Sequence, residues 1–393
     1  MSTLLIKNVL HEGCKTNILI DGNRFKCLDA AGGTQADKVI EADGLAIVPA
    51  FYNTHTHAAM TPMRGMGEGL PLQKWLSEYI WPYEEKMTAK DIFDASEVAV
   101  REMIGSGTVF FSDMYWEIEQ TIDVVNRAGM RAAIGITFLD SHSKSQTESK
   151  LEMISKWVDP SGGRITLSID PHAIYTAGAE TYRKCFRLSK ETGIMMHTHL
   201  AETKTEVDDC IREHGMTPVR YLDSLGVLGP NVVAAHCVHV DREELDILAE
   251  RGVTIAHCPC SNMKLGSGRF PYEMAIASGV RITLGTDGAS SNNNLDMREE
   301  MKFASLLAKV TGDPTLLPAG EVFKWATVNG AEAFGIDAGE IKEGKIADAI
   351  LLDIKNERLQ PSCNLISNWV YSADSSCVAA TICDGKLITQ NIL

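Results

Sequence analysis

The chain lacks the sequence features of secreted, membrane-spanning and disulfide-stabilised proteins. Its start has no signal-peptide layout, and no apolar run reaches the roughly 18 residues of a membrane span. Ten cysteines are scattered along the chain without a CxxC pair, which argues against a disulfide framework or a zinc ribbon. We therefore expect a cytoplasmic protein with reduced thiols and no membrane partner.

A surplus of basic residues is also missing. The chain has 37 Lys and Arg against 52 Asp and Glu, a net charge of -15, and it contains no basic cluster. A nucleic-acid partner requires a basic stripe that neutralises phosphates. The composition therefore excludes nucleic acid as a partner and favours a small-molecule substrate.

Short strand-like runs are present at both ends of the chain. The 393 residues exceed the usual size of one core, about 250 to 300 residues, so we expect one large and one smaller domain. The runs, separated by Gly, Asp and Asn turns, lie at residues 4–9, 17–20, 38–41, 349–353 and 378–382. We predict that residues 1–48 and 343–393 together build one composite antiparallel β-sandwich domain.

Between the two ends, apolar strands alternate with helix-length amphipathic segments. The predicted strands lie at residues 46–53, 108–112, 131–136, 165–170, 194–199, 232–236, 254–257 and 282–287. Such alternation implies a parallel sheet covered on both faces, and eight units close a barrel. An open doubly wound sheet would require a Gly-rich phosphate loop after an early strand, and none is present. We therefore predict an α/β fold with a (β/α)₈ barrel of the TIM type over residues 49–342.

Candidate site histidines or aspartates occur at the ends of six of these eight strands. The residues are His55 with His57, Asp113, Asp170 with His172, His197 with His199, His236, and Asp287. Active sites of such barrels lie at the carboxyl ends of the strands, so the recurrence predicts a functional site. His55 and His57 are two residues apart and face the same side, where both imidazoles can bind one cation.

The segment PAFYNTHTH, which ends at His57, resembles the amidohydrolase superfamily. In that superfamily a strand-one HxH, a strand-five His, a strand-six His and a strand-eight Asp recur in this order. The matching positions are His55, His57, His199, His236 and Asp287. The resemblance covers nearly the whole chain, and it implies the same barrel together with a split β domain.

The resemblance further implies a single metal ion. Binuclear members carry a carboxylated lysine at the end of strand four, where this chain has Asp170-Pro-His172. The implied ligands are His55, His57, His199 and Asp287. They leave a position for a water molecule whose pKa falls towards neutrality. We expect one divalent ion, zinc, with ferrous iron as the alternative that the same ligands suit.

Glu202 follows His199 in a His-Leu-Ala-Glu segment that resembles the HxxE of the superfamily's deaminases. A general acid there protonates the ring nitrogen beside the carbon under attack, which allows ammonia to leave. His236 is implied to contact the metal-bound hydroxide and to share its proton with Asp287. We therefore predict hydrolytic deamination with Glu202, His236 and Asp287 as catalytic residues.

Within the superfamily, the chain is most similar to the S-adenosylhomocysteine, 5'-methylthioadenosine and 5'-deoxyadenosine deaminases. Trp75 and the segments 81–84, 171–172 and 286–291 carry this resemblance. It implies that Glu84 accepts hydrogen bonds from both ribose hydroxyls and that His172 and Ser291 contact the base. Trp75 and Glu202 complete the expected substrate contacts.

One departure concerns the 5' side of the substrate. Family members that prefer S-adenosylhomocysteine carry an arginine after strand three, whereas residues 135–140 here read GITFLD and the next arginine is Arg164. The carboxylate clamp is therefore expected to be absent. The side chains expected to line an apolar pocket instead are Met60, Met63, Met66 and Phe138.

The main hypothesis is deamination of 5'-methylthioadenosine, 5'-deoxyadenosine, S-adenosylhomocysteine or adenosine. One alternative is deamination of another aminated heterocycle, such as guanine, a pterin or an s-triazine. Glu84 discriminates between the two, because only a nucleoside needs a diol acceptor. The other alternative is a catalytically inactive scaffold, against which the retention of every proposed metal ligand and of Glu202 argues. We also expect a homo-oligomer.

Overall fold

Two eight-stranded sheets organise the computed structural model, which describes residues 2–389. The strands are β1 (Thr3–His11), β2 (Cys14–Asp21), β3 (Arg24–Cys27), β4 (Lys38–Glu41), β5 (Leu45–Pro49), β6 (Phe51–Thr56), β7 (Thr108–Tyr115), β8 (Arg131–Phe138), β9 (Ile165–Pro171), β10 (Met195–Leu200), β11 (Val232–His236), β12 (Thr254–His257), β13 (Arg281–Leu284), β14 (Ala349–Asp353), β15 (Val378–Cys383) and β16 (Lys386–Leu387). The α-helices are α1 (Leu72–Trp75), α2 (Trp81–Glu84), α3 (Ala89–Gly105), α4 (Ile118–Ala128), α5 (Lys144–Ser155), α6 (Ala179–Thr192), α7 (Lys204–His214), α8 (Pro218–Ser224), α9 (Arg242–Arg251), α10 (Pro259–Lys264), α11 (Tyr272–Ser278), α12 (Ala289–Asn292), α13 (Met297–Lys309), α14 (Ala319–Ala326), α15 (Val328–Ala333) and α16 (Leu365–Tyr371).

Strands β6 to β13 form the barrel. They lie side by side in chain order, and each pairs in parallel with the next. The first and last strands meet where the Thr54 hydroxyl donates to the Leu284 carbonyl oxygen over 2.9 Å. Gly285 permits this close approach, because a Cβ there would lie 2.8 Å from the carbonyl oxygen of His55. The predicted (β/α)₈ barrel is confirmed.

The apolar run at residues 46–53 was predicted as one strand, and this is wrong. Strand β5 pairs antiparallel with β14 in the second sheet, whereas β6 pairs with β7 in the barrel. The chain changes sheet at Ala50, which is fully buried. Residues 46–52 are apolar on both sides of the change, and no charged residue marks it, so the sequence reads as a single strand.

The second sheet combines strands from both ends of the chain, in the order β16-β15-β14-β5-β1-β2-β3, with β4 beside β1. Strands β4 and β5 pair with β1 in parallel, so the expectation of a wholly antiparallel sheet is wrong. Leu4, Ile18, Leu351 and Ile382 pack in one apolar cluster, which explains why neither end forms the domain alone. The division into residues 1–48 with 343–393 and residues 49–342 stays a proposal, and Met1 and residues 390–393 lie outside the described residues.

A buried charge network joins the two sheets at the amino-terminal ends of the barrel strands. Arg131 in β8 donates through Nε to Asp348 Oδ2 over 3.1 Å and also pairs with Asp384. Tyr52 in β6 donates to the same Asp348 carboxylate over 2.6 Å. Removing one partner of such a buried pair costs about 3 to 5 kcal/mol, because the other charge stays buried without compensation. The network therefore fixes the second sheet at the end of the barrel opposite to the site described below.

Helices cover the outside of the barrel. Helix α3 begins at a capping box of Thr88 and Asp91, and its buried face includes Ile92, Ala99 and Met103. Helix α9 begins at a second capping box of the same kind. Among the described residues, no helix is long and apolar enough to cross a membrane.

Candidate active site

A cavity of about 410 Å³ opens at the carboxyl ends of the barrel strands. His57, His199, His236 and Asp287 contribute ligand-type atoms to it. Its walls include Trp75, Glu84, Tyr115, Trp116, His172 and Ser291. A concave site of this size at the mouth of a barrel suits a small molecule.

Five side chains that could bind a metal ion meet at the ends of four barrel strands. Donor atoms of His55, His57 and His199 lie within 4.8 Å of one another, as do those of His55, His236 and Asp287. Asp287 Oδ1 lies 3.5 Å from His55 Nε2 and 3.2 Å from His57 Nε2. The buried His55 Nε2 has no hydrogen-bond partner. A divalent ion fits this set, because three imidazoles and a carboxylate are its usual ligands and it would satisfy the orphaned nitrogen.

The second ring nitrogen of each proposed histidine ligand is held by the barrel. His57 Nδ1 lies 2.7 Å from the Met114 carbonyl oxygen, and His199 Nδ1 lies 2.9 Å from that of His172. A carbonyl oxygen only accepts, so both Nδ1 atoms donate and both Nε2 lone pairs are free for a cation. His55 Nδ1 is likewise held, 3.0 Å from His197 Nε2.

Asp287 lies beyond the end of β13 in a left-handed conformation, with φ of 60°. Its Oδ2 accepts from Ser261 Oγ over 2.6 Å and from Ser291 Oγ over 2.9 Å. Burial alone would raise its pKa, but the adjacent His55 and His57 side chains hold the pKa of Asp287 well below its ordinary value. The site therefore maintains a carboxylate, the form that binds metal ions.

Glu202 and His236 face each other beside the metal-ligand group. Glu202 Oε2 lies 4.0 Å from His236 Nε2, and Ser267 Oγ donates to Glu202 Oε1 over 3.4 Å. Burial raises the pKa of Glu202, and the nearby His236 opposes that shift. A carboxyl with a raised pKa is suited to deliver a proton near neutral pH.

The backbone around His236 adopts unusual conformations. His236 has φ of 73° and the following Cys237 has φ of 47°, both in the left-handed region. His236 Nδ1 lies 2.9 Å from Asn262 Oδ1 in α10. With Nδ1 donating to this oxygen, the Nε2 lone pair faces Glu202 and the cavity.

A second carboxyl, Glu84, lines the outer part of the cavity. Tyr115 donates its hydroxyl to Glu84 Oε1 over 3.0 Å. Burial raises the pKa of Glu84 to about 7, although the Tyr115 hydrogen bond lowers it. The Trp116 ring stacks on Tyr115 at 3.9 Å between centroids and is 39% exposed, so this aromatic pair leads from Glu84 towards the mouth.

The structure brings the predicted site residues together. All of them line the cavity except His55, which lies behind His57. The Ser291 hydroxyl already donates to Asp287, and the Trp75 indole donates to the Met66 carbonyl oxygen. Neither donor is therefore available for a hydrogen bond to a substrate. The individual roles of these residues stay predictions.

Three residues in contact with the site were missed from the sequence. Ser261 and Asn262 lie in α10 and hold Asp287 and His236, and Tyr115 ends β7 and holds Glu84. The available signal was a polar or aromatic side chain at, or within five residues after, the end of a barrel strand. Such side chains are too common at strand ends to be distinguished without their partners.

No lysine or arginine is among the lining residues. Arg64 pairs with Glu102, and Lys144 lies on the surface beside Glu148, so neither reaches the cavity. Met60 lines the cavity as expected. The expectation for Met63, Met66 and Phe138 is wrong: the two methionines pack in the apolar cluster around Trp75, and Phe138 lines a neighbouring cavity.

The chain matches the Amidohydrolase family model over residues 46–388. It is 42% identical over 381 residues to the 5'-deoxyadenosine deaminase of Methanothermobacter thermautotrophicus. This alignment covers 95% of this chain and 89% of that protein. It is 43% identical over 380 residues to the 5-methylthioadenosine/S-adenosylhomocysteine deaminase of Moorella thermoacetica, covering 94% and 89%.

A solved structure extends the same likeness to three dimensions. The chain superimposes on an adenosine deaminase from Xanthomonas campestris, crystallised with bound zinc, with a TM-score of 0.92 and 30% sequence identity. The match covers 99% of this chain and 92% of that one. The likeness therefore includes both the barrel and the sheet built from the two chain ends.

Proposed function

The chain belongs to the amidohydrolase family, and from this premise we propose that it hydrolytically deaminates adenosine-type nucleosides to the inosine analogues and ammonia. Its family and its relatives make it a metal-dependent aminohydrolase that acts on C–N bonds. One observation carries the substrate class: Glu202 and Glu84 line the same cavity, the first beside the histidine cluster and the second near the mouth. The first suits an amine leaving group, and the second suits a ribose.

The proposed metal ligands are His55, His57, His199 and Asp287. Zinc suits this set, and the adenosine deaminase from Xanthomonas campestris was solved with zinc. Held by these residues, a divalent ion would lower the pKa of a bound water to about 7 and so would supply the nucleophile at neutral pH.

Glu202 protonates the ring nitrogen beside the six-position carbon, and the raised pKa of this buried carboxyl supports the assignment. His236 Nε2 accepts a proton from the attacking water and shares it with Asp287. The tetrahedral carbon collapses when the amine takes the His236 proton and the new hydroxyl returns its proton to Glu202. One water is consumed, and one ammonia leaves.

Glu84 is proposed to accept hydrogen bonds from the 2' and 3' ribose hydroxyls, which orients the base towards Glu202. His172 and Ser291 are proposed to contact the base, with Trp75 in the wall. Burial and the neighbouring histidines lower the pKa of His172 to about 3, so its imidazole would act uncharged. Ser291 already donates to Asp287 and would therefore act as an acceptor.

The 5' substituent is proposed to be neutral and largely apolar, as in 5'-deoxyadenosine or 5'-methylthioadenosine. The support is the cavity lining, which contains Trp81, Trp116 and Leu139 but no lysine or arginine. A substrate carboxylate would find no basic side chain there and would lie in the same cavity as Glu84.

The proposal is tested by measuring ammonia release from adenosine, 5'-deoxyadenosine, 5'-methylthioadenosine, S-adenosylhomocysteine, guanine and a pterin with the metal-loaded protein. We expect ammonia from the nucleosides and none from guanine or the pterin. Ammonia release only from guanine or the pterin would show that the substrate is a free heterocycle and not a nucleoside. Ammonia release from none of the compounds would indicate an inactive scaffold.

A further inference from the structure

Glu206, in the first turn of α7, has a buried carboxylate that points back to the end of β10. Its Oε1 accepts the backbone amide of Ala201 over 2.8 Å, and its Oε2 accepts the backbone amide of Glu202 over 2.8 Å. Both carboxylate oxygens are thus used on two consecutive peptide groups, the second of which belongs to the proposed acid.

Ala201, which joins these two peptide groups, is in an unfavourable conformation. Ala201 has φ of 50°, a left-handed conformation in which the Cβ of an alanine is crowded. Its carbonyl oxygen accepts the amides of Val238 and His239, over 3.0 and 2.9 Å, from the segment that follows His236. The backbone amide of Ala201 is therefore held by Glu206, and its carbonyl oxygen is held by the segment that follows β11.

This linkage determines where the Glu202 side chain begins. A rotation of the Ala201–Glu202 peptide would move the Glu202 carboxyl relative to His236 Nε2, which now lies 4.0 Å away. We propose that Glu206 is a positioning residue whose two hydrogen bonds hold Glu202 in its proton-donating place. This inference rests on the proposed function, because it concerns the acid of that reaction.

Only a carboxylate of this length provides the contact. Two amide donors require two acceptor oxygens, which an ionised Glu offers. Glutamine has one acceptor and would turn its NH₂ group towards one of the two amides, and aspartate is one methylene shorter. Burial raises the pKa of Glu206 to about 7, while the two amide hydrogen bonds favour the charged form.

The test compares Glu206→Gln in the wild-type and Glu202→Gln backgrounds, with kcat, KM and metal content measured for each. We expect Glu206→Gln alone to lower kcat about 10- to 100-fold with KM unchanged, because misplacing a catalytic group by about 1 Å has a cost of that order. In the Glu202→Gln background the same change should add almost nothing, because the positioned group is already lost.

Glu244→Gln is the matched control. Glu244 is also a buried first-turn glutamate whose carboxylate accepts a backbone amide, that of Asp241, but it begins α9 away from the cavity. We expect this variant to keep the wild-type kcat even if its thermal stability falls. Equal losses of kcat in Glu206→Gln and Glu244→Gln would overturn the inference.

Two further outcomes separate the inference from the proposed function. A wild-type kcat in Glu206→Gln, or the same fold loss in both Glu202 backgrounds, overturns the inference alone. A wild-type kcat in the Glu202→Gln enzyme overturns the proposed acid. If Glu206→Gln does not fold, Ala201→Gly/Glu206→Gln replaces it, because glycine adopts a positive φ without strain. A folded, metal-binding double variant should then still have the lowered kcat, and a wild-type kcat would contradict the inference.

Discussion

Glu202 Oε2 lies 4.0 Å from His236 Nε2, so the two proposed proton carriers face each other beside the histidine cluster. The carboxyl comes from the end of β10 and the imidazole from the end of β11, which are neighbouring parallel strands. Neither side chain needs to move across the cavity for Glu202 to reach the ring nitrogen of a bound base while His236 reaches the water that attacks the adjacent carbon.

Changing Glu202 to Gln should keep the metal and lower kcat by about 10² to 10⁴, the usual contribution of a positioned acid or base. Glutamine preserves the size of the side chain but has no proton to deliver at this position. Steady-state ammonia release and metal analysis of the same preparation provide the check. A smaller loss with a mainly raised KM would assign Glu202 to binding instead.

Changing His199 or Asp287 to Ala should abolish both metal content and turnover, because each change removes one of the four proposed ligands. Metal per chain is measured after gel filtration, and ammonia release is measured on the same fractions. His214→Ala is the control, since His214 stacks on Tyr221 outside the cavity and should change neither quantity. Full activity in the His199→Ala or Asp287→Ala variant would show that the changed residue is not a required metal ligand.

The role of Glu84 predicts a pH dependence of nucleoside recognition. A diol donor requires the charged carboxylate, so binding favours the ionised form and is lost as pH falls through the pKa of Glu84, about 7. We expect the ratio of kcat/KM for adenosine to that for 2',3'-dideoxyadenosine to fall below this pH. Groups whose ionisation affects both substrates equally cancel in this ratio, so the ratio reports on Glu84. Glu84→Gln should give a ratio that does not vary with pH, and a flat wild-type ratio would exclude the diol contact.

The absence of lysine and arginine from the described lining of the cavity predicts the order of substrates. A hydrogen bond to a charged group contributes about 1.5 to 3 kcal/mol, which is about ten- to 150-fold in kcat/KM. None of the described residues that line the cavity is a lysine or arginine that could pair with a substrate carboxylate. We expect 5'-methylthioadenosine or 5'-deoxyadenosine to equal or exceed S-adenosylhomocysteine. If S-adenosylhomocysteine is favoured by more than about tenfold, Lys150 is the cation to test, because its Nζ donates to the carbonyl oxygen of Thr137 in the cavity wall.

The barrel and most of the site were predictable because parallel strands end on the same side. His55, His199 and Asp287 follow three different apolar runs, and the barrel topology alone brings such residues together. The change of sheet at Ala50 was not predictable, because residues 46–52, which span the end of β5 and the start of β6, read as one apolar run. Whether the chain forms the expected homo-oligomer stays a prediction.

The groups that orient the site residues were hidden for a different reason. Ser261 and Asn262 act on Asp287 and His236 through contacts that depend on where α10 lies, and sequence spacing does not determine that position. Glu206 reaches Ala201 only because that alanine adopts a left-handed backbone, which the helical and strand preferences of alanine do not predict.

Titration of the metal-free protein with zinc, followed by ammonia release from 5'-deoxyadenosine, tests the central claim most directly. The proposed ligands hold one ion, so we predict that activity rises from zero and reaches its plateau at one zinc per chain. Deamination without metal, or a plateau only at two ions per chain, would contradict the account.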